Sequence, residues 1–161
     1  MDGDDREFLS ESERDFFRAL NELGVRYLLV GMSAALLQGA RGSTEDLDLW
    51  FEEIGDPRIA EATRRAGGVF VTRTQPPMLS GPVGDRIDLV LTLSGLPDFA
   101  KEFERAARAD LGGVEVSVLP LERILHSKRA AGRTKDEPGI HQIELAIAVL
   151  RKLAADHESE D

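Results

Sequence analysis

Two carboxylates stand one residue apart in the run Asp46-Leu47-Asp48-Leu49-Trp50-Phe51. On a strand, successive side chains point to opposite faces, so Asp46 and Asp48 share one face while Leu47, Leu49 and Phe51 share the other. Paired aspartates on a central strand repel each other and lose hydration, unless a cation or a ligand's donors compensate. Mg²⁺ suits that need, because it takes oxygen ligands and is often held by one or two carboxylates plus phosphate oxygens. The alternative is an edge strand whose polar face meets water. A third carboxylate, Asp88, lies in Arg86-Ile87-Asp88-Leu89-Val90, again between apolar residues. Arg86 shares its face by alternation and offers a structural ion pair instead, while Asp85 points the other way on a regular strand.

Two further segments could meet an anion. Val30-Gly31-Met32-Ser33 sits where a strand feeds a helix, and a glycine there lets backbone approach a ligand beside free helix N–H groups. The plain reading of the same turn makes Ser33 an N-cap. Residues 123–135 carry Arg123, Lys128, Arg129, Arg133 and Lys135 and no acid. That run is either a solvated helix face or a place where Lys128, Arg133 and Lys135 reach one anionic ligand. His126, His141 and His157 show no metal-like pairing and read as surface or packing residues. With no cysteine in the chain, disulfides and thiolate zinc sites are excluded.

The elements that must position these groups can be read in order. Ser10-Glu11-Ser12-Glu13 is a capping box opening a helix through Phe16, Phe17, Leu20 and Leu23, stopped at Gly24. A buried strand 25–30, a short helix 33–38, a loop 39–42 and the strand 46–51 follow. Asp56-Pro57 starts a helix that reaches residue 66. Strands are expected at 69–72 and 86–91, with a proline-rich loop between them. Leu96-Pro97-Asp98 opens a helix expected to reach residue 109, and Gly112-Gly113 turns into a strand 114–119. The chain ends in helices 121–131 and 140–155, with Pro138-Gly139 as the break. This order argues a single α/β (α+β) domain with a mixed sheet and flanking helices, its core at about residues 10–155 and acidic, fraying ends.

The net charge of -10 is unevenly placed. Residues 1–15 contribute -5 and residues 156–161 contribute -4, which leaves the body near neutrality with a local basic surface. Strong nonspecific DNA binding is therefore not expected, whereas a tRNA-sized ligand on the basic helix is compatible. An acidic N-terminus without an apolar run, and no stretch long enough to span a bilayer, make a cytoplasmic protein without a membrane partner the expectation.

Taken together, Val30-Gly31-Met32-Ser33, Asp46-Leu47-Asp48-Leu49 and Ile87-Asp88-Leu89 resemble the polymerase-β-type nucleotidyltransferase superfamily. Gly39-Ala40-Arg41-Gly42-Ser43-Thr44-Glu45-Asp46-Leu47-Asp48 and the tail from Lys128 to Asp136 are similar to the small AbiEii-like toxin nucleotidyltransferases and their bacterial relatives. The match spans roughly residues 25–150. It implies a nucleotidyltransferase fold and transfer of a nucleoside monophosphate from an NTP to an acceptor hydroxyl: an RNA 3′ end such as that of a tRNA, a protein or a small molecule. A toxin role with a cognate antitoxin is part of the implication. So are Mg²⁺ or Mn²⁺ on Asp46, Asp48 and Asp88, Asp88 as base, Gly31 and Ser33 at the β/γ-phosphates, and Lys128, Arg133 and Lys135 as their counter-charges. Two positions depart from the pattern. Met32 stands where the superfamily has a small residue or serine, and Gly139 stands where the tail often carries a second acid. These departures motivate an alternative: a catalytically silent module of the same fold that binds a protein partner or nucleotide.

Overall fold

The chain enters its first helix through the expected capping box. In the computed structural model, which describes residues 9–159, the Glu13 N–H donates to Ser10 Oγ (3.2 Å) and the Ser10 N–H donates to Glu13 Oε1 (2.9 Å). Helix α1 (Glu11–Glu22) buries Phe16, Phe17 and Leu20 and leads into strand β1 (Tyr27–Val30), all of whose residues are buried. Then come α2 (Gly31–Leu37), β2 (Leu47–Phe51), α3 (Pro57–Arg65), β3 (Val69–Val71), β4 (Met78–Ser80) and β5 (Ile87–Val90). The second half holds α4 (Phe99–Glu104), β6 (Ala107–Leu111), β7 (Val114–Val118), α5 (Leu121–Ala131) and α6 (Glu137–Ser159). Single 3₁₀ turns occupy Pro82–Gly84 and Thr134–Asp136.

The main sheet has the order β5-β2-β1-β7-β6 and is mixed. β1 runs antiparallel to β2 and parallel to β7, while β2 runs parallel to β5. β3 and β4 form a separate two-stranded sheet. The core continues from the sheet into the helices through aromatic contacts, Phe17 on Tyr27 at 5.9 Å and Trp50 edge-on to Phe99 at 5.0 Å. Among the described residues no helix is long and apolar enough to cross a membrane.

Three expectations about the elements need correction. The helix opened by Asp98 stops at Glu104, and residues 107–111 are strand β6 rather than its last turns. Alanine and arginine favour helix locally, but residues 107–111 find a full antiparallel ladder on β7 across the turn Gly112-Gly113. Both glycines have positive φ (60° and 94°), the conformation that a two-residue hairpin demands. Part of the loop expected between residues 72 and 86 is strand β4, paired to β3. Finally, α6 begins at Glu137, so Pro138-Gly139 lies inside its first turn, where proline's missing N–H has no helical partner to lose.

Arg86 does more than follow the strand pattern. Its Nε and Nη2 donate to Glu13 Oε2 and Oε1 at 3.0 and 2.6 Å, tying α1 to the strand that carries Asp88. Burial alone would raise the Glu13 carboxyl, but Arg86 and the Ser10 amide overcome it and hold it below the usual carboxylate range. The folded pKa is depressed, so this stabilisation is full above the unfolded value and is lost as pH falls through the folded one. Arg86→Met should cost about 3 kcal/mol at pH 7 by stranding the buried Glu13 charge. Urea melts from pH 7 down to pH 3 should show that difference shrinking; a constant difference would mean the ion pair is not its source.

Candidate active site

The site forms at the sheet edge where β1 ends and β2 and β5 begin. Register brings the acids together: Val30 pairs with Asp48, and Asp48 pairs with Asp88. Directly opposed residues share a face, so the two aspartates are cross-strand neighbours there. Asp46, two residues before Asp48, is close enough to act on both. Burial raises the Asp48 carboxyl, and the charges of Asp88 and Asp46 raise it further, against a smaller opposite pull from Lys128 and Arg133. Burial and Asp46 likewise raise Asp88. Asp46 and Asp88 are exposed and Asp48 is half-buried, so the cluster opens to solvent on one side.

Gly31 fits this crowding for two reasons. Its φ of +68° is one that side-chain-bearing residues rarely adopt, and a Cβ there would stand 2.7 Å from Asp48 Oδ2. The glycine's role is therefore first to admit the Asp48 carboxylate. Helix α2 starts at Gly31 directly, with Val30 as its N-cap and no side-chain cap. The alternative of Ser33 as N-cap does not hold: Ser33 is buried and its hydroxyl donates to the Val30 carbonyl at 3.2 Å. Residues 31–33 thus offer backbone rather than a side-chain hydroxyl.

Across from Asp48 lies α5. A cavity of about 400 Å³ is bounded by Gly31, Asp48 and Val90 on one wall and Ser127, Lys128 and Arg133 on the other. Ile124, Ser127, Lys128 and Ala131 all line it, at the i, i+3, i+4, i+7 spacing of one helix face. That spacing was available to find Ser127, which the sequence reading passed over, as it did Thr92 and Ser94 just beyond β5. Asp136, which ends the tail motif, carries no assigned role in the sequence. It is buried and accepts from Lys128 Nζ at 3.3 Å and from Arg133 Nε at 2.7 Å. Burial would raise its carboxyl, but the two cations hold it below the usual range. Lys135 is separated from this cavity. It lines a smaller cleft of about 270 Å³ with Met32, Arg41 and Asp136, and Lys128 borders both spaces.

Chemically, the arrangement is a charge gradient. Asp48, whose carboxyl is raised and whose register partner is Asp88, faces two cations across a cavity large enough for a small organic ligand. Among the described residues no three His, Cys, Asp or Glu side chains form a ready-made metal cage. The donor set nevertheless fits a hard divalent cation that arrives with phosphate oxygens of its own: only oxygen ligands, negative and mutually repelling, partly open to solvent.

The mixed five-stranded sheet with its flanking helices is the fold of the nucleotidyltransferases. Three solved structures carry that statement. The aminoglycoside nucleotidyltransferase ANT(2'')-Ia, in a crystal complex with adenylyl-2''-tobramycin, matches with a TM-score of 0.57 at 17% identity, over 91% of this chain and 94% of that one. Its solution structure matches with a TM-score of 0.54 at 14% identity, over 92% and 94%. An antigenic nucleotidyltransferase-like protein from Paracoccidioides brasiliensis matches with a TM-score of 0.51 at 20% identity, over 88% of this chain and 78% of that one. No protein-family model matches the chain, and no curated protein matches it.

Proposed function

We propose that the protein transfers a nucleoside monophosphate from an NTP to an acceptor hydroxyl, with Mg²⁺ or Mn²⁺ as cofactor. The observation that carries this reading is the register pairing of Asp48 with Asp88, set across a cavity from Lys128 and Arg133. Asp46, Asp48 and Asp88 would hold the metal, which when bound supplies Lewis-acid neutralisation of phosphate charge. The NTP occupies the cavity with its phosphates toward Lys128 and Arg133, and Lys135 serves any oxygen that reaches the second cleft. Gly31 brings backbone close to the phosphates, and Ser33 fixes the turn that presents it. Asp88, on the open side, takes the proton of the acceptor hydroxyl as its oxygen bonds to the α-phosphorus. The bond from that phosphorus to the β-phosphate bridging oxygen breaks, and pyrophosphate leaves. An elevated carboxyl pKa suits a group that accepts a proton near neutral pH. Catalysis then rests on positioning and charge, as in phosphoryl transfer generally.

The acceptor class is open to an RNA 3′ end, a protein or a small molecule. The likeness to ANT(2'')-Ia, solved with an adenylylated tobramycin, favours the last. The AbiEii-like motifs favour a toxin with a cognate antitoxin. A catalytically silent nucleotide-binding or protein-binding module is the competing reading, and the departures at Met32 and Gly139 favour it. A thermal-shift screen of the four NTPs, each with and without Mg²⁺, on wild type and Asp46→Asn decides between them. Stabilisation that needs both metal and Asp46 is expected. No shift with any NTP would leave the silent module standing.

A further inference from the structure

The two departures from the superfamily pattern, Met32 and Gly139, touch each other. A Cβ on Gly139 would lie 3.0 Å from Met32 Sδ, and one on Gly42 would lie 3.7 Å from Met32 Cε. The Met32 side chain therefore starts at the head of α2 and runs into a cradle between two glycines. One glycine belongs to the loop that leads to Asp46, the other to the first turn of α6. Three residues before Gly139 stands Asp136, which fixes both Lys128 and Arg133. Met32 thus joins the segment that presents Gly31 to the two segments that deliver the carboxylates and the cations. An unbranched, polarisable thioether is suited to filling such an irregular gap.

We propose that Met32 is a positioning residue, a thioether clasp that holds the cation-bearing segment 133–139 and the loop 41–43 against the start of α2, and that Gly139 is its matched counterpart. The two departures are then coupled, Met32 filling the space that Gly139 leaves, and not two separate losses. Gly139 has an ordinary helical backbone, since its φ is not positive, so what glycine contributes there is the room it leaves for Met32. This inference rests on the proposed nucleotide site for its functional readout but not for its structural one.

The test is a double-mutant cycle on the full chain with Met32→Ala, Gly139→Ala and both. Alanine is the better helix former, so in the Met32→Ala background Gly139→Ala should raise Tm by ~2 °C. In wild type the same change should give no rise or a fall, because the thioether is displaced. Hydrogen exchange in residues 39–44 and 132–139 should quicken in Met32→Ala and recover in Met32→Leu, which keeps the volume. With MgATP, Met32→Ala should weaken binding or raise KM by about tenfold with kcat little changed, and Met32→Leu should restore it. Equal effects of Gly139→Ala in both backgrounds, with unchanged exchange, would overturn the clasp. If wild type binds no NTP, the nucleotidyltransferase reading fails, while the Tm cycle and the exchange data still decide the clasp.

Discussion

Asp48→Asn should remove NTP turnover and at the same time make the protein more stable at neutral pH. The activity half follows from its position: Asp48 is the member of the carboxylate cluster that touches the cavity, Gly31 and the register partner Asp88. Loss of a supporting partner around a metal typically costs 10–100-fold, so loss of a ligand itself should exceed about 100-fold. The stability half follows from the direction of its pKa. Burial, Asp88 and Asp46 raise the folded value above the unfolded one, so the ionised carboxylate is the disfavoured form in the fold. Such a group costs nothing below the unfolded pKa and its full penalty above the folded pKa. Asparagine removes the penalty. Melting curves should therefore show a higher Tm for Asp48→Asn at pH 7, by a few degrees, with the two proteins converging as pH falls to about 4. A variant less stable than wild type at pH 7 would mean that Asp48 is a structural anchor and not a strained site residue.

Gly31→Ala should damage the fold and the site with a single added methyl. A positive φ costs an alanine about 1–2 kcal/mol by itself. The added methyl also meets the Asp48 carboxylate, at 2.7 Å from Oδ2, and must push it off the position that β2 gives it. Destabilisation and loss of Mg²⁺-dependent NTP binding should appear together. Gly31→Ala combined with Asp48→Ala separates the two causes. Shortening residue 48 removes the collision but not the backbone strain, so part of the lost Tm should return while binding stays absent. If Gly31→Ala alone retains both wild-type Tm and NTP binding, the close approach of these two groups has no consequence.

Much of this site could be read from the chain because its signals are local. Capping at Ser10 and Asp56, the alternation around Asp46 and Asp48 and the helix 121–131 each depend on residues within a few positions of one another. What stayed hidden depends on distant partners. Residues 107–109 are alanine and arginine, helix formers, and become strand only because β7 offers a ladder. Arg86 reads as a partner for Asp88 until α1 brings Glu13 to it. Pro138-Gly139 reads as a break, yet a helix tolerates proline in its first turn. The role of Asp136, and the contact between Met32 and Gly139, exist only once α2, α5 and α6 meet.

The strand order also sets a timetable. The acidic half of the site belongs to residues 27–90, whereas the cationic half belongs to residues 127–136, and the sheet joins them through β1 and β7. As the chain is synthesised, the aspartates can be assembled on β2 and β5 before their counter-charges exist. During that interval β1, with every residue destined for the interior, has one edge unpaired. The nascent protein is thus most vulnerable to wrong pairing just when its site is electrostatically least balanced, and the arrival of β7 and α5 ends both conditions together.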